Sequence, residues 1–116
     1  MPIKVYMLDD EPDICQIFKD NFSTTHIEIE TFVDPKSLLE AIETAPPDLI
    51  FFDYRLPNTN GVEVAKSVKI KVPKALLTGD LEVTTTDVFE KKFNKQPFPW
   101  VEIENYLSEH LIRKAS

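Results

Sequence analysis

Five side chains scattered along the chain are of types that could share one charged site: the acidic pair Asp9-Asp10, then Asp53, Thr78 and Lys95. Three carboxylates brought together repel one another and each loses hydration, so such a cluster makes sense only around a cation. Hard oxygen ligands suit Mg²⁺, which keeps several waters and is held by one or two carboxylates together with phosphate oxygens. A lysine beside them adds a mobile point charge, and a threonine hydroxyl donates one hydrogen bond to a phosphoryl oxygen. A carboxylate nucleophile, a metal that neutralises charge and donors for the equatorial oxygens are together the parts of a phosphoryl-transfer site.

Those residues cooperate only if the fold gathers them. Ile3 to Leu8 is a short apolar run, and Pro12 follows Asp9-Asp10-Glu11 at the favoured first-turn position of a helix with Ile14, Ile17, Phe18 and Phe22 on one face. Ile27 to Phe32 alternates apolar residues with Glu and Thr, the pattern of a strand near a sheet edge. Asp34-Pro35 cap a second helix carrying Leu38, Leu39 and Ile42, which ends before Pro46-Pro47. Leu49 to Phe52 does not alternate, as expected of a strand buried on both faces. After the loop Asp53 to Asn60, Val62, Ala65 and Val68 mark a third helix and Lys74 to Thr78 a fourth strand. Thr84-Thr85-Thr86 is a β-branched run that favours a helix poorly, so any fourth helix between Thr84 and Lys92 is short or irregular. Lys92 to Lys95 supplies a brief fifth strand, and Trp100, Ile103, Leu107 and Leu111 share a face of a final helix starting near Pro99.

Five alternations of strand and helix predict an α/β fold: a doubly wound parallel sheet with right-handed crossovers and helices on both faces. In such sheets the functional crevice lies at the carboxyl ends of the strands. That rule selects Asp9 and Asp10 after the first strand, Asp53 after the third, Thr78 after the fourth and Lys95 after the fifth, and predicts that they converge.

The 116 residues suffice for one core and are read as one domain, 1–116, with no output domain. A net charge of -7 repels a nucleic-acid backbone, which argues against nucleic acid as partner. Cys15 is the sole cysteine, so no internal disulfide can form and a reducing compartment fits. The longest apolar runs, Val5 to Leu8 and Leu49 to Phe52, fall far short of the roughly 20 residues that span a bilayer. No stretch of signal-peptide length opens the chain, and the expected location is the cytoplasm, without membrane insertion.

Several features have plainer readings. The acidic start of the first helix suits the positive end of a helix dipole by itself. Lys66, Lys69, Lys71 and Lys74 read as a solvated face balancing an acidic protein. His26 and His110 are expected on the surface, with no second ligand at zinc spacing. Cys15 is expected to be inert, and Phe18, Phe22 and Trp100 to serve as core or interface.

The ordered set resembles the receiver domain of bacterial response regulators, the CheY-like fold. The resemblance rests on Asp9-Asp10 closing the first strand, on Pro47-Asp48-Leu49-Ile50-Phe51-Phe52-Asp53-Tyr54-Arg55-Leu56-Pro57, on Gly61, and on Thr78-Gly79 and Lys95 in order. It implies a five-stranded sheet in the order 2-1-3-4-5 and Asp53 as phosphoacceptor. It also implies Mg²⁺ as cofactor, held by Asp10, Asp53 and the Arg55 backbone carbonyl with Asp9 helping through water. Thr78 and Lys95 would bind the phosphoryl group, and Arg55 and Asp80 would flank the path of an attacking water and modulate its loss. The implied partners are a histidine kinase or histidine phosphotransfer protein and an unknown downstream protein, and the implied role is a switch rather than a turnover enzyme.

Three departures from the family pattern stand out. The family Lys is usually followed by a cis proline, whereas Gln96 separates Lys95 from Pro97. A cis bond before Gln96 would cost roughly 2.5–4 kcal/mol, so the loop is expected to be trans there, with Lys95 aimed differently. Lys92 stands where the family carries its switch aromatic, with Phe93 and Phe89 unaligned substitutes, and the Thr78 to Lys95 stretch is short. These features keep a second reading open, a degenerate receiver that binds a partner constitutively without phosphorylation. A haloacid-dehalogenase-type phosphatase would need an acid two residues after Asp53, where Arg55 stands, and a flavodoxin would need a hydroxyl- and Gly-rich turn where Asp9-Asp10-Glu11 stands.

Overall fold

The computed structural model describes residues 2–79 and 87–115. In chain order the elements are β1 (Ile3–Leu8), α1 (Pro12–Phe22), β2 (Ile27–Phe32), α2 (Pro35–Thr44), β3 (Leu49–Asp53), β4 (Arg55–Leu56), β5 (Thr59–Asn60), α3 (Gly61–Ser67), β6 (Lys74–Thr78), β7 (Lys91–Asn94) and α4 (Trp100–Ala115). Five strands form one parallel sheet in the order β2-β1-β3-β6-β7. Counting only these sheet strands, the order is 2-1-3-4-5, the doubly wound arrangement expected from the sequence.

The unalternating apolar runs follow from covering both faces of the sheet. Val5, Met7, Leu49 and Phe51 pack with Phe18 and Phe22 of α1 and with Ile103, Tyr106 and Leu107 of α4. The intervening Tyr6, Leu8, Ile50 and Phe52 pack on the other side with Leu38 and Ile42 of α2 and Val64 and Ala65 of α3. Because side chains alternate along a strand, helices on both faces call for unbroken apolar runs, here Val5 to Leu8 of β1 and Leu49 to Phe52 of β3. All of β3 is buried, including the terminal Asp53. β2, by contrast, lies at an edge and exposes Glu28 and Glu30.

Local signals set the element boundaries. Pro12 opens α1, and the Asp34 side chain caps α2 by accepting the Ser37 N–H at 2.8 Å. Asn60 caps α3 in the same way through the Glu63 N–H at 3.0 Å. Three details depart from expectation. The stretch after Asp53 folds back on itself as the β4–β5 pair, with Asn58 at its turn in the left-handed region at φ 65°. β7 begins and ends one residue earlier than expected, at Lys91 and Asn94. The short fourth helix falls partly outside the described residues, and the described residues 87–90 form turn and bend rather than helix.

His110 is a clear correction, because it is 8% exposed rather than on the surface. Its Nε2 lies 3.1 Å from Glu90 Oε2, and Glu90 also accepts hydrogen bonds from the Tyr106 hydroxyl and, at 2.9 Å, from Arg113. Glu90 thus ties α4 to the sheet just before β7, satisfying polar groups that burial would otherwise leave unpaired. Cys15 is buried, its thiol pushed up by burial and by the nearby Asp9 charge, in keeping with an inert role.

Candidate functional site

The parallel register brings the expected residues to one end of the sheet. Leu8 pairs with both Phe32 and Phe52, so Asp9 and Asp53 follow neighbouring strands at nearly the same level. Asp53 pairs with Leu77, one residue before Thr78, and Thr78 pairs with Asn94, one residue before Lys95. Asp9, Asp53 and Thr78 are 0%, 5% and 2% exposed, while Asp10 is half-buried.

Carboxylate oxygens of Asp9, Asp10 and Asp53 all lie within 4.8 Å of one another. Into this cluster reaches Lys95, whose Nζ donates to Asp53 Oδ1 at 2.8 Å and lies 3.5 Å from Asp9 Oδ2. The expectation that Gln96 would misdirect Lys95 is therefore corrected. The Lys95 N–H donates to the Thr78 carbonyl at 3.0 Å, which extends the ladder by one step and launches the side chain over the crevice whatever residue follows. The cis bond of this loop is Gln96–Pro97, so the Lys95–Gln96 bond is trans as expected.

The site is electrostatically uneven. Burial pushes the Asp9 carboxyl up to about 6, with the Asp53 charge adding to the effect and the Glu11 N–H and Lys95 opposing it. Burial likewise raises Asp53 against the pull of its Lys95 hydrogen bond. Burial alone would lower Lys95, but its hydrogen bond to Asp53 and the two carboxylate charges outweigh that and raise it. One ammonium thus leaves the three carboxylates short of neutralisation. A hard, all-oxygen donor set with excess negative charge fits Mg²⁺.

Gly61 explains how Asp53 is held. A Cβ at residue 61 would come within 2.4 Å of the Asp53 carbonyl oxygen, so any side chain there would displace the backbone of the acid itself. The Gly61 N–H also donates to the Tyr54 carbonyl at 2.8 Å, closing the loop that carries β4 and β5. Arg55 lies on β4, two residues past Asp53, with an exposed side chain, whereas Asp80 lies outside the described residues. Sequence reasoning missed the placement of Gln96, whose carboxamide lies against Gly79. No spacing rule signals that contact, because it depends on two strands ending at the same level.

Residues 5–96 match the family described as the response regulator receiver domain. The chain belongs to the response-regulator receiver family. It is 30% identical over 103 residues to the alkaline phosphatase synthesis transcriptional regulatory protein PhoP of Bacillus subtilis, covering 78% of this chain and 43% of that protein. It is 34% identical over 88 residues to the response regulator protein VraR of Staphylococcus saprophyticus, covering 71% of this chain and 42% of that protein. The receiver thus spans less than half the length of these relatives. Its fold matches the response regulator protein TrrA of Thermotoga maritima, solved in complex with Mg(2+)-BeF, with a TM-score of 0.81 at 22% identity, covering 95% of this chain and 99% of that one. Family membership supports a phosphorylation-dependent role in two-component signalling, and the receiver's aspartate cluster is an acidic pocket able to hold a metal. Among the described residues no helix is long and apolar enough to cross a membrane.

Proposed function

We propose that this receiver is a switch in which Asp53 accepts a phosphoryl group from a histidine kinase or histidine phosphotransfer protein and passes the signal on by protein contact. The observation that carries the reading is the Lys95 ammonium 2.8 Å from Asp53 Oδ1, inside a buried carboxylate cluster at the carboxyl end of the sheet.

In the transfer, an Asp53 carboxylate oxygen bonds to phosphorus as the bond from phosphorus to the donor nitrogen breaks. The imidazole leaves with that electron pair, and the phosphoryl group stays on Asp53. Lys95 balances the charge of the incoming oxygens from where it already stands, and the Thr78 hydroxyl donates to one of them. Asp10, Asp53 and the Arg55 carbonyl, with Asp9 through water, are the groups that would hold Mg²⁺. Bound there, Mg²⁺ would neutralise charge on the phosphoryl oxygens. Arg55, two residues past Asp53 and exposed, would shield the acyl phosphate from water.

Transmission is tested by backbone amide shifts before and after adding beryllofluoride with Mg²⁺ as a phosphoryl mimic. Changes reaching β7 and α4 are expected, because Thr78 is joined to Asn94 and Lys95 across the β6–β7 ladder. Shifts confined to the Asp53 loop would remove the transmitted switch and favour constitutive binding.

A further inference from the structure

At the amino end of the sheet, away from Asp53, a second group of titratable side chains gathers where α4 packs back on the strands. Glu90 stands just before β7, and its N–H donates to the Lys74 carbonyl of β6 at 2.8 Å. Its carboxylate faces three side chains spaced about one turn apart along α4. The Tyr106 hydroxyl donates to Oε2, Arg113 Nη1 donates to Oε1 at 2.9 Å, and His110 Nε2 lies 3.1 Å from Oε2. Arg113 Nη2 is also 3.3 Å from His110 Nε2, and the Tyr106 ring stands edge-on to the imidazole with centroids 4.6 Å apart. His110 Nε2 thus sits between an acceptor and a donor, and a neutral imidazole serves one or the other. The single negative charge of Glu90 is already matched by Arg113. A proton added to the buried ring therefore creates a second cation beside the guanidinium with no second anion to meet it. Among the described residues, the surrounding charges do not supply one. Just before β3, Asp48 is paired with Lys114 at 2.9 Å, and Lys91 and Glu102 share the cleft beside Arg113 with opposite signs. Lys74 turns its ammonium to the Ile70 and Val72 carbonyls, while Ile3, Leu49 and Pro73 present apolar surface. Besides Glu90, Glu109 favours protonation, from an exposed position where water screens it.

We propose that Glu90, His110 and Arg113 form a pH-sensitive clasp, which holds the last turns of α4 to the start of β7 while His110 is neutral and slackens when the ring takes a proton. The inference is independent of the chemistry at Asp53. Burial and the Arg113 charge hold His110 below its ordinary value of 6.5, outweighing the pull of Glu90. Below that ordinary value the unfolded chain, and any opened form that exposes the ring, binds a proton more readily than the closed fold. Stability contributed by the clasp is therefore fully present above about 6.5 and is lost as pH falls through that value toward the lower folded one. The loss is local, because the Asp48–Lys114 pair keeps its charges and Tyr106 and Leu107 stay anchored in the core.

The test follows the imidazole signals of the full, metal-free chain by NMR from pH 4.5 to 8, together with amide exchange along α4 corrected for its intrinsic pH dependence. The chain has two histidines, and His110→Gln identifies which signal belongs to residue 110. In wild type the His110 midpoint should lie below 6.5, and Arg113→Gln should move it upward by removing the neighbouring cation. Between pH 7.5 and 5.5 the amides of residues 108–113 should lose at least about threefold in protection in wild type and not in His110→Gln. Amides of α1 should not follow. A wild-type His110 midpoint at or above 6.5 would overturn the proposal, and that titration needs no variant to fold. A midpoint unmoved in Arg113→Gln, or α4 protection that stays constant while His110 titrates, would overturn it as well.

Discussion

Replacing Lys95 with alanine is expected to slow formation of the Asp53 adduct by at least about 100-fold while Mg²⁺ binding persists. The ammonium stands 2.8 Å from Asp53 Oδ1 and 3.5 Å from Asp9 Oδ2, fixed there by the Lys95 N–H bond to Thr78. A charge already in place needs no reorganisation as negative charge gathers on the transferring group, and its loss is felt mainly in the rate. Metal binding should respond in the opposite direction. Lys95 is a competing cation inside the carboxylate cluster, so its removal should tighten Mg²⁺. Lys95→Arg is not expected to restore the rate, because a planar guanidinium cannot replace a compact point charge at this distance. Adduct formation from acetyl phosphate and a Mg²⁺ titration of the same samples separate the two effects. A Lys95→Ala rate within a few-fold of wild type would remove Lys95 from the chemistry.

Asp9→Asn should stabilise the metal-free protein at neutral pH and flatten its stability profile between about pH 4 and 6. Burial places the folded Asp9 carboxyl at about 6 against an ordinary value of 3.8. Between those values the folded state binds more protons than the unfolded state, so stability falls as pH rises through this window. The stabilisation, fully present below the unfolded value, is lost above about 6 and amounts to something on the order of 3 kcal/mol. Asparagine keeps an oxygen for the Glu11 N–H, which Asp9 Oδ1 now accepts at 2.9 Å, but carries no charge. Urea unfolding with a chelator present, at pH values from 4 to 7.5, should show the variant gaining on wild type as pH rises. Parallel curves for the two proteins would contradict the burial argument. Mg²⁺ should restore more stability to wild type than to the variant, because it relieves the charge that asparagine has removed.

The gathering of Asp9, Asp10, Asp53, Thr78 and Lys95 was legible because the acidic pair, Asp53 and Thr78 each end an apolar run and Lys95 ends the brief stretch read as the fifth strand. A parallel sheet places such ends at one edge whatever lies between them. The two-sided burial of β3 was legible for the same local reason, since Leu49 to Phe52 carries no polar face. The aim of Lys95 was not legible, because it depends on a hydrogen bond to a strand 17 residues earlier, from Lys95 to Thr78. Reasoning from the residue after Lys95 pointed the wrong way. The burial of His110 was hidden for a similar reason: its partner Glu90 lies 20 residues away and is brought beside it only when α4 packs back on the sheet. Gly61 could be placed in the family pattern, but its contact with the Asp53 carbonyl emerges only from the folded loop.

Intact-mass spectrometry after incubation with acetyl phosphate and Mg²⁺, comparing wild type with Asp53→Ala and with a chelator control, tests the phosphoacceptor assignment most directly. The account predicts a single phosphoryl adduct on wild type that vanishes both with Asp53→Ala and with the chelator. An adduct that persists in Asp53→Ala, or a wild-type protein that binds Mg²⁺ yet gains no adduct from acetyl phosphate or from a phosphorylated histidine donor, would contradict it.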